Sequence, residues 1–110
     1  MNIGAVPFTV TDWNTVARLE RKGESGTSFC QTFEAGKIRI RRIVYSPRYR
    51  ADHWCSRGHI LYVLEGELTI HLQDGRSSGL HKGMSFQTGN DETNQHRCFS
   101  EHGAEVLIVD

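Results

Sequence analysis

Residues 67–73, ELTIHLQ, alternate strictly, with Leu68, Ile70 and Leu72 on one parity and Glu67, Thr69, His71 and Gln73 on the other. A period of two is the pattern of a half-buried strand, and Asp74-Gly75 follows at once as a hairpin turn. Similar short runs fill most of the chain: TSFCQTFE (27–34), KIRIRRIVYS (37–46), HILYVLE (59–65), MSFQT (84–88), QHRCFS (95–100) and AEVLIVD (104–110). Ala35-Gly36, Gly66, Gly83, Gly89-Asn90 and Gly103 separate them. Many short strands at even spacing predict an all-β antiparallel sandwich or barrel.

Two local expectations follow. Gly66 reads as the turn of a hairpin between 59–65 and 67–73. In 37–46, Ile38 and Ile40 share one parity and Ile43 and Tyr45 the other, which predicts a bulge near Arg41-Arg42. Only TVTDWNTVARLE (9–20) has a helical pattern. Thr11 or Asp12 stands at its cap, Trp13, Val16, Ala17 and Leu19 form an imperfect stripe, and KGESG (22–26) ends it.

At 110 residues the chain predicts one domain, with residues 1–26 as an N-terminal arm and 27–110 as the β-unit. Thirteen basic residues balance thirteen acidic ones, so no overall field steers the chain to nucleic acid or an anionic membrane. No apolar run reaches membrane-spanning length, and MNIGAVPFTV lacks a signal peptide's basic and apolar regions. Three cysteines, Cys30, Cys55 and Cys98, cannot all pair, and no CxxC occurs. The expectation is a cytoplasmic protein with free thiols. Cys30 and Cys98, beside Phe29 and Phe99, read as small buried hydrophobes.

The stretch ADHWCSRGH (51–59) gathers His53, Cys55 and His59. On a strand, His53 and Cys55 leave the same face, and His59 keeps their parity or meets them across a turn at 56–58. Three nitrogen and sulfur donors converging in this way suit a borderline-soft ion. His96 is the best fourth donor elsewhere. Two other readings stand beside this one: a polar strand end, and a Cys55 nucleophile activated by His53 or His59.

Asp52, pointing away, reads as a structural acceptor or as an orienting partner for a histidine. Trp54 reads as packing. KIRIRRIVYSPRYR (37–50) carries six basic residues and no acidic one. It reads as an exposed face of snorkelling arginines, with an anion-binding wall at Arg39 or Arg41 as the functional alternative.

HWCSRGHILYVLEGEL resembles the first motif of the cupins, which are small jelly-roll barrels (double-stranded β-helices). That motif runs H-x-H, three or four residues, a glutamate, six residues and a glycine. His53 and Cys55 fall at the two histidines, His59 at the glutamate and Gly66 at the glycine. GMSFQTGNDETNQH resembles the second motif, opening at Gly83 and ending at His96, although its usual proline is missing. More narrowly, ADHWCSRGH, YSPRY, GMSFQ and LIVD resemble the small cupin-fold proteins named for a DHCW motif.

The resemblance implies a cupin jelly-roll barrel with a short N-terminal helical or irregular segment. It implies a divalent transition metal held by His53, Cys55, His59 and His96; Leu61 and Val63, by their shared parity with the ligands, and Arg41 and Tyr45 on 37–50 are expected to line the pocket. It also implies a homodimer. Thiolate and an added imidazole in place of carboxylate favour zinc first, with nickel or iron as alternatives. The function so implied is a metal-dependent enzyme on a small polar substrate, such as an oxygenase, isomerase or lyase. The alternative is a non-catalytic metal- or ligand-binding module for sensing or storage. The ligand itself is unknown.

Overall fold

The computed structural model describes residues 3–90 and 92–110, and among these no α-helix forms. Nine strands make one curled antiparallel sheet: β1 (Leu19–Lys22), β2 (Thr27–Ala35), β3 (Ile38–Tyr45), β4 (Tyr49–Arg50), β5 (His59–Leu72), β6 (Ser77–His81), β7 (Ser85–Thr88), β8 (His96–Ser100) and β9 (Ala104–Val109). The path across it runs β1-β2-β3-β9-β5-β8-β4, with β6 and β7 paired to opposite ends of β5.

The expected hairpin at Gly66 does not form; residues 59–72 are one strand. Its first half pairs with β7 and β9, its second half with β6 and β8. A register shift between Val63 and Glu65 lets the strand bend there. It also moves the inward parity from Leu61 and Val63 to Leu68 and Ile70, so both halves bury their apolar side chains in one core. Gly66 adopts φ +80°, and a Cβ on it would meet the carbonyl oxygen of Gly103 at 2.3 Å. Its requirement for glycine therefore arises from a bend and a close approach.

The expected bulge in β3 is absent as well. β3 pairs with β2 without interruption from Ser28↔Tyr45 to Ala35↔Ile38, and with β9 from Ile40↔Val109 to Tyr45↔Ala104. Arg39, Arg41, Ile43 and Tyr45 thus share the inner face, and Ile38 and Ile40 take the other. Sorting by hydropathy failed here because a carboxylate, Asp110, waits inside for the arginines.

The helical stripe over 9–20 shrinks to a single 3-10 turn, Trp13–Thr15. Asp12 caps it, its Oδ1 accepting from the Asn14 N–H at 3.1 Å. Gln31 on β2 fixes the segment by donating its Nε2 to the carbonyls of Trp13 and Val16, at 2.6 and 2.8 Å. Residues 19–22 then pair with β2, because an open sheet edge offers them hydrogen bonds that an isolated short helix lacks.

The Asp74-Gly75 turn forms as expected between β5 and β6, with Gly75 at φ +100°. Gly66→Ala should lower unfolding free energy by about 2–3 kcal/mol in urea denaturation, from backbone strain and the clash with residue 103. An unchanged midpoint would contradict the bend's dependence on glycine.

Candidate metal centre

Past β4 the chain runs antiparallel to β8. Tyr49 lies opposite Ser100 and Arg50 opposite Phe99, and the Ala51 N–H donates to the Cys98 carbonyl at 3.0 Å. Contact resumes at Cys55, which exchanges both main-chain hydrogen bonds with His96, at 2.8 and 2.9 Å. Four residues therefore advance along one strand while two advance along the other, and residues 52–54 loop out. Reciprocal pairing sends the Cys55 and His96 side chains to the same side.

His59, at the first position of β5, completes a group of three. The ligand atoms of Cys55, His59 and His96 all lie within 4.8 Å of one another. The Nε2 atoms of His59 and His96 are 3.1 Å apart, with the rings nearly perpendicular at 87°. Two nitrogens each bound at about 2.05 Å to one ion, and separated by that distance, subtend an angle of roughly 100°. His96 Nδ1 lies 3.0 Å from the Asn94 carbonyl. A carbonyl only accepts, so Nδ1 carries the proton and the Nε2 lone pair faces the group.

Burial, followed by the nearby His96 and Arg41, lowers the His59 pKa to about 4, so its ring is neutral at pH 7. Its Nδ1 is buried with no hydrogen-bond partner among the described residues. Phe86 on β7 sets its ring edgewise to both imidazoles, with centroids at 5.5 and 5.4 Å, and confines their rotation. Two imidazoles with their Nε2 atoms 3.1 Å apart, and a thiol, fit a borderline-soft divalent ion.

His53 stands apart. Residues 52–54 are not a strand, so the two-residue spacing does not give it the direction of Cys55. Its side chain is 69% exposed, and Nδ1 lies 2.7 Å from Asp52 Oδ1. That contact with the imidazole holds the Asp52 carboxyl below its usual range. Trp54 receives the Arg97 guanidinium over its ring at 4.7 Å. His71, His81 and His102 lie outside the three-residue group as well.

The group opens onto a cavity of about 270 Å³. Arg41, Tyr45 and Leu61 line it, and Asp52 and His53 reach it; Val63 does not, being fully buried in the core. Cys30 and Cys98 line it too, both half-buried and packed against the core. Burial pushes the Cys98 thiol up to about 11, and burial likewise raises Tyr45 well above an ordinary phenol. Both stay protonated and chemically quiet at neutral pH.

Sequence reasoning missed Asp110 and Arg57. The Asp110 side chain is 1% exposed, and Arg39, Arg41 and Arg57 approach it at 2.8, 3.2 and 3.2 Å. Burial opposes its charge, but the Arg39 hydrogen bond and the positive charges of Arg41, Arg39 and Arg57 outweigh that and hold the carboxyl below its usual range. Reading 38–45 as one unbroken strand would have exposed the signal, because it sets Arg39 and Arg41 beside Ile43 and Tyr45.

No family model matches the sequence, and no curated protein matches it. Solved structures do match in shape. An RmlC-like cupin from Shewanella frigidimarina superposes with a TM-score of 0.72 at 17% identity, covering 94% of this chain and 89% of the other. A polyketide cyclase from Streptomyces resistomycificus gives 0.74 at 17% identity over 94% and 78%. A sugar phosphate isomerase from a cupin superfamily, from Silicibacter pomeroyi, gives 0.73 at 14% identity over 92% and 74%. This chain has the cupin fold. Among the described residues no helix is long and apolar enough to cross a membrane.

Asp110→Asn should cost about 2–4 kcal/mol at pH 7, since it leaves three guanidiniums facing a neutral group. The folded carboxyl titrates below its ordinary value of 3.8. The stability it supplies is therefore complete above about pH 4 and disappears as pH falls through the lower folded value. Urea titrations should show the wild-type advantage narrowing as pH falls below about 4. A gap that is constant with pH would contradict the ion-pair account.

Proposed function

We propose that Cys55, His59 and His96 bind a divalent transition metal, zinc first, and that the protein is a metal-dependent enzyme acting on a small polar molecule in the cavity. The observation that carries this reading is the convergence of three neutral-capable soft donors at one end of the cavity. Three protein ligands on a tetrahedral ion leave one position for a ligand from the cavity, the arrangement of catalytic rather than structural sites. A metal bound there would supply Lewis-acid polarisation of a substrate oxygen or acidification of a coordinated water.

The chain's own residues perform the remaining tasks. Phe86 keeps both imidazoles in orientation. Asn94 holds the His96 tautomer through its carbonyl. The Gly58 N–H, donating to Asn90 Oδ1 at 2.6 Å, ties the segment before His59 to the loop before His96. Leu61 and Ile108 give the cavity apolar walls that limit water near the ligands.

A second reading, a non-catalytic sensing or storage module, is favoured by one observation. Cys98 and Tyr45, both within the cavity wall, are held protonated far above neutral pH and offer no proton exchange there. Turnover of any small polar substrate that depends on the bound metal separates the two.

Membership of the DHCW group, a cytoplasmic location and a homodimer belong to the same proposal. Ile60, Tyr62 and Met84, exposed near one another on β5 and before β7, support pairing with a second copy.

Elemental analysis of untagged protein purified without chelators tests the metal site. Wild type should carry close to one metal per chain. Cys55→Ser, His59→Ala and His96→Ala should each lose most of it, roughly 10-fold or more in affinity, whereas His53→Ala should retain it. Metal-free wild type would sink the reading.

A further inference from the structure

The inner face of β3 places two guanidiniums, Arg39 and Arg41, in a wall continued by Ile43 and Tyr45. Charge set in such a wall needs partners, and Asp110 supplies only some of them. Arg39 donates Nε and an Nη to its two oxygens, at 3.0 and 2.8 Å. Arg41 donates one Nη at 3.2 Å, and Arg57 stands 3.2 Å away. One side-chain carboxylate thus faces three guanidiniums. Arg41 Nε is buried and has no hydrogen-bond partner among the described residues.

The surplus extends around the cavity. Arg21 and Arg97 also line it, Arg97 standing 3.7 Å from the Glu24 carboxylate, and Asp52, already engaged by His53, is the one carboxylate among its described lining residues. A concave site whose lining carries an excess of one sign of charge concentrates counter-ions.

Register places Arg41 relative to the metal-ligating end. Arg41 lies opposite Ile108 on β9, Ile108 lies opposite Leu61 on β5, and His59 is the next inward residue beyond Leu61. Two strand spacings, roughly 10 Å, separate the backbones, and the two side chains shorten that span. A molecule of a few carbons bridges it.

We propose that the cavity takes a small organic carboxylate whose anionic end docks on the unpartnered Nε–H of Arg41 and whose other end reaches the Cys55–His59–His96 group. Only the second half of that statement rests on the metal reading above. The chemistry is specific in three respects. A planar carboxylate suits the edge of a guanidinium. Leu61, Phe86 and Ile108 accommodate a hydrocarbon body. A volume of about 270 Å³ equals roughly nine waters at ~30 Å³ each, enough for an acid of a few carbons. A phosphate needs more donors than Arg41 leaves free.

The test follows the arginine Nε–H resonances by NMR while butyrate, its neutral isostere butyramide, or inorganic phosphate is added. Metal-free and zinc-loaded protein are titrated in parallel. Butyrate should move the Arg41 Nε–H saturably in both forms. Butyramide and phosphate should each bind at least roughly 10-fold more weakly, the scale of one charge-assisted hydrogen bond. Arg41→Lys keeps the charge but loses the Nε–H, and should weaken butyrate by a similar factor while Arg39 and Arg57 keep Asp110 paired. If that variant does not fold, the wild-type resonance decides alone.

An unmoved Arg41 Nε–H, equal binding of butyramide, tighter binding of phosphate, or wild-type affinity in a folded Arg41→Lys variant would overturn the proposal. Zinc uptake is read separately. Butyrate docking on protein that takes up no zinc overturns the metal site and leaves the carboxylate site standing.

Discussion

Strand β5 belongs to both halves of the sheet, and most of the architecture follows from that double membership. Its first residues pair with β7 and β9, its last with β6 and β8. The bend between them can occur only where the register shifts and where residue 66 approaches the backbone of residue 103 without a side chain. The sheet thereby closes on itself over Leu61, Val63, Leu68, Ile70 and Val106. His59, at the outer end of the same strand, is carried across the interior to the ring of His96 on β8. One covalent segment thus fixes the core and delivers one member of the candidate site.

The other two members are joined by main chain rather than by side-chain packing. Reciprocal hydrogen bonds between Cys55 and His96 restore pairing after residues 52–54 loop out. That excursion is why the spacing of HWC misleads. Counting by twos holds only on a continuous strand, and two unmatched residues put His53 at the rim beside Asp52. The alternation of ELTIHLQ, the Asp74-Gly75 turn and the later strands were legible because each is decided locally, by parity and by backbone conformation. The sequence also singled out Cys55, His59 and His96, and their convergence depends on long-range register.

Gly66 and β3 illustrate the opposite case. A glycine after an apolar run signals a break in both a hairpin and a bent strand, and no local pattern separates them. In β3 the hydrophobic alternation pointed the wrong way, because Arg39 and Arg41 face inward. Their compensation comes from Asp110, some seventy residues along the chain, so no window of sequence contains both halves of the interaction. Buried charge that breaks a local pattern is frequently tied to function. Here it leaves the cavity with positive potential at one wall and soft donors at the end.

Those two features make one electrostatic unit. Burial first, then His96 and Arg41, lower the basicity of His59 and keep a neutral nitrogen available, while Asp110 opposes them and Arg39 adds a smaller push. The proposed ion would meet neutral imidazoles and a thiolate, and an incoming anion would meet the guanidinium surplus.

X-ray absorption at the zinc edge of zinc-loaded protein tests the centre most directly. The account predicts one sulfur at about 2.3 Å and imidazole nitrogens at about 2.0–2.1 Å, with the sulfur shell absent in Cys55→Ser. A shell of oxygen alone, or a sulfur contribution that survives Cys55→Ser, would contradict it.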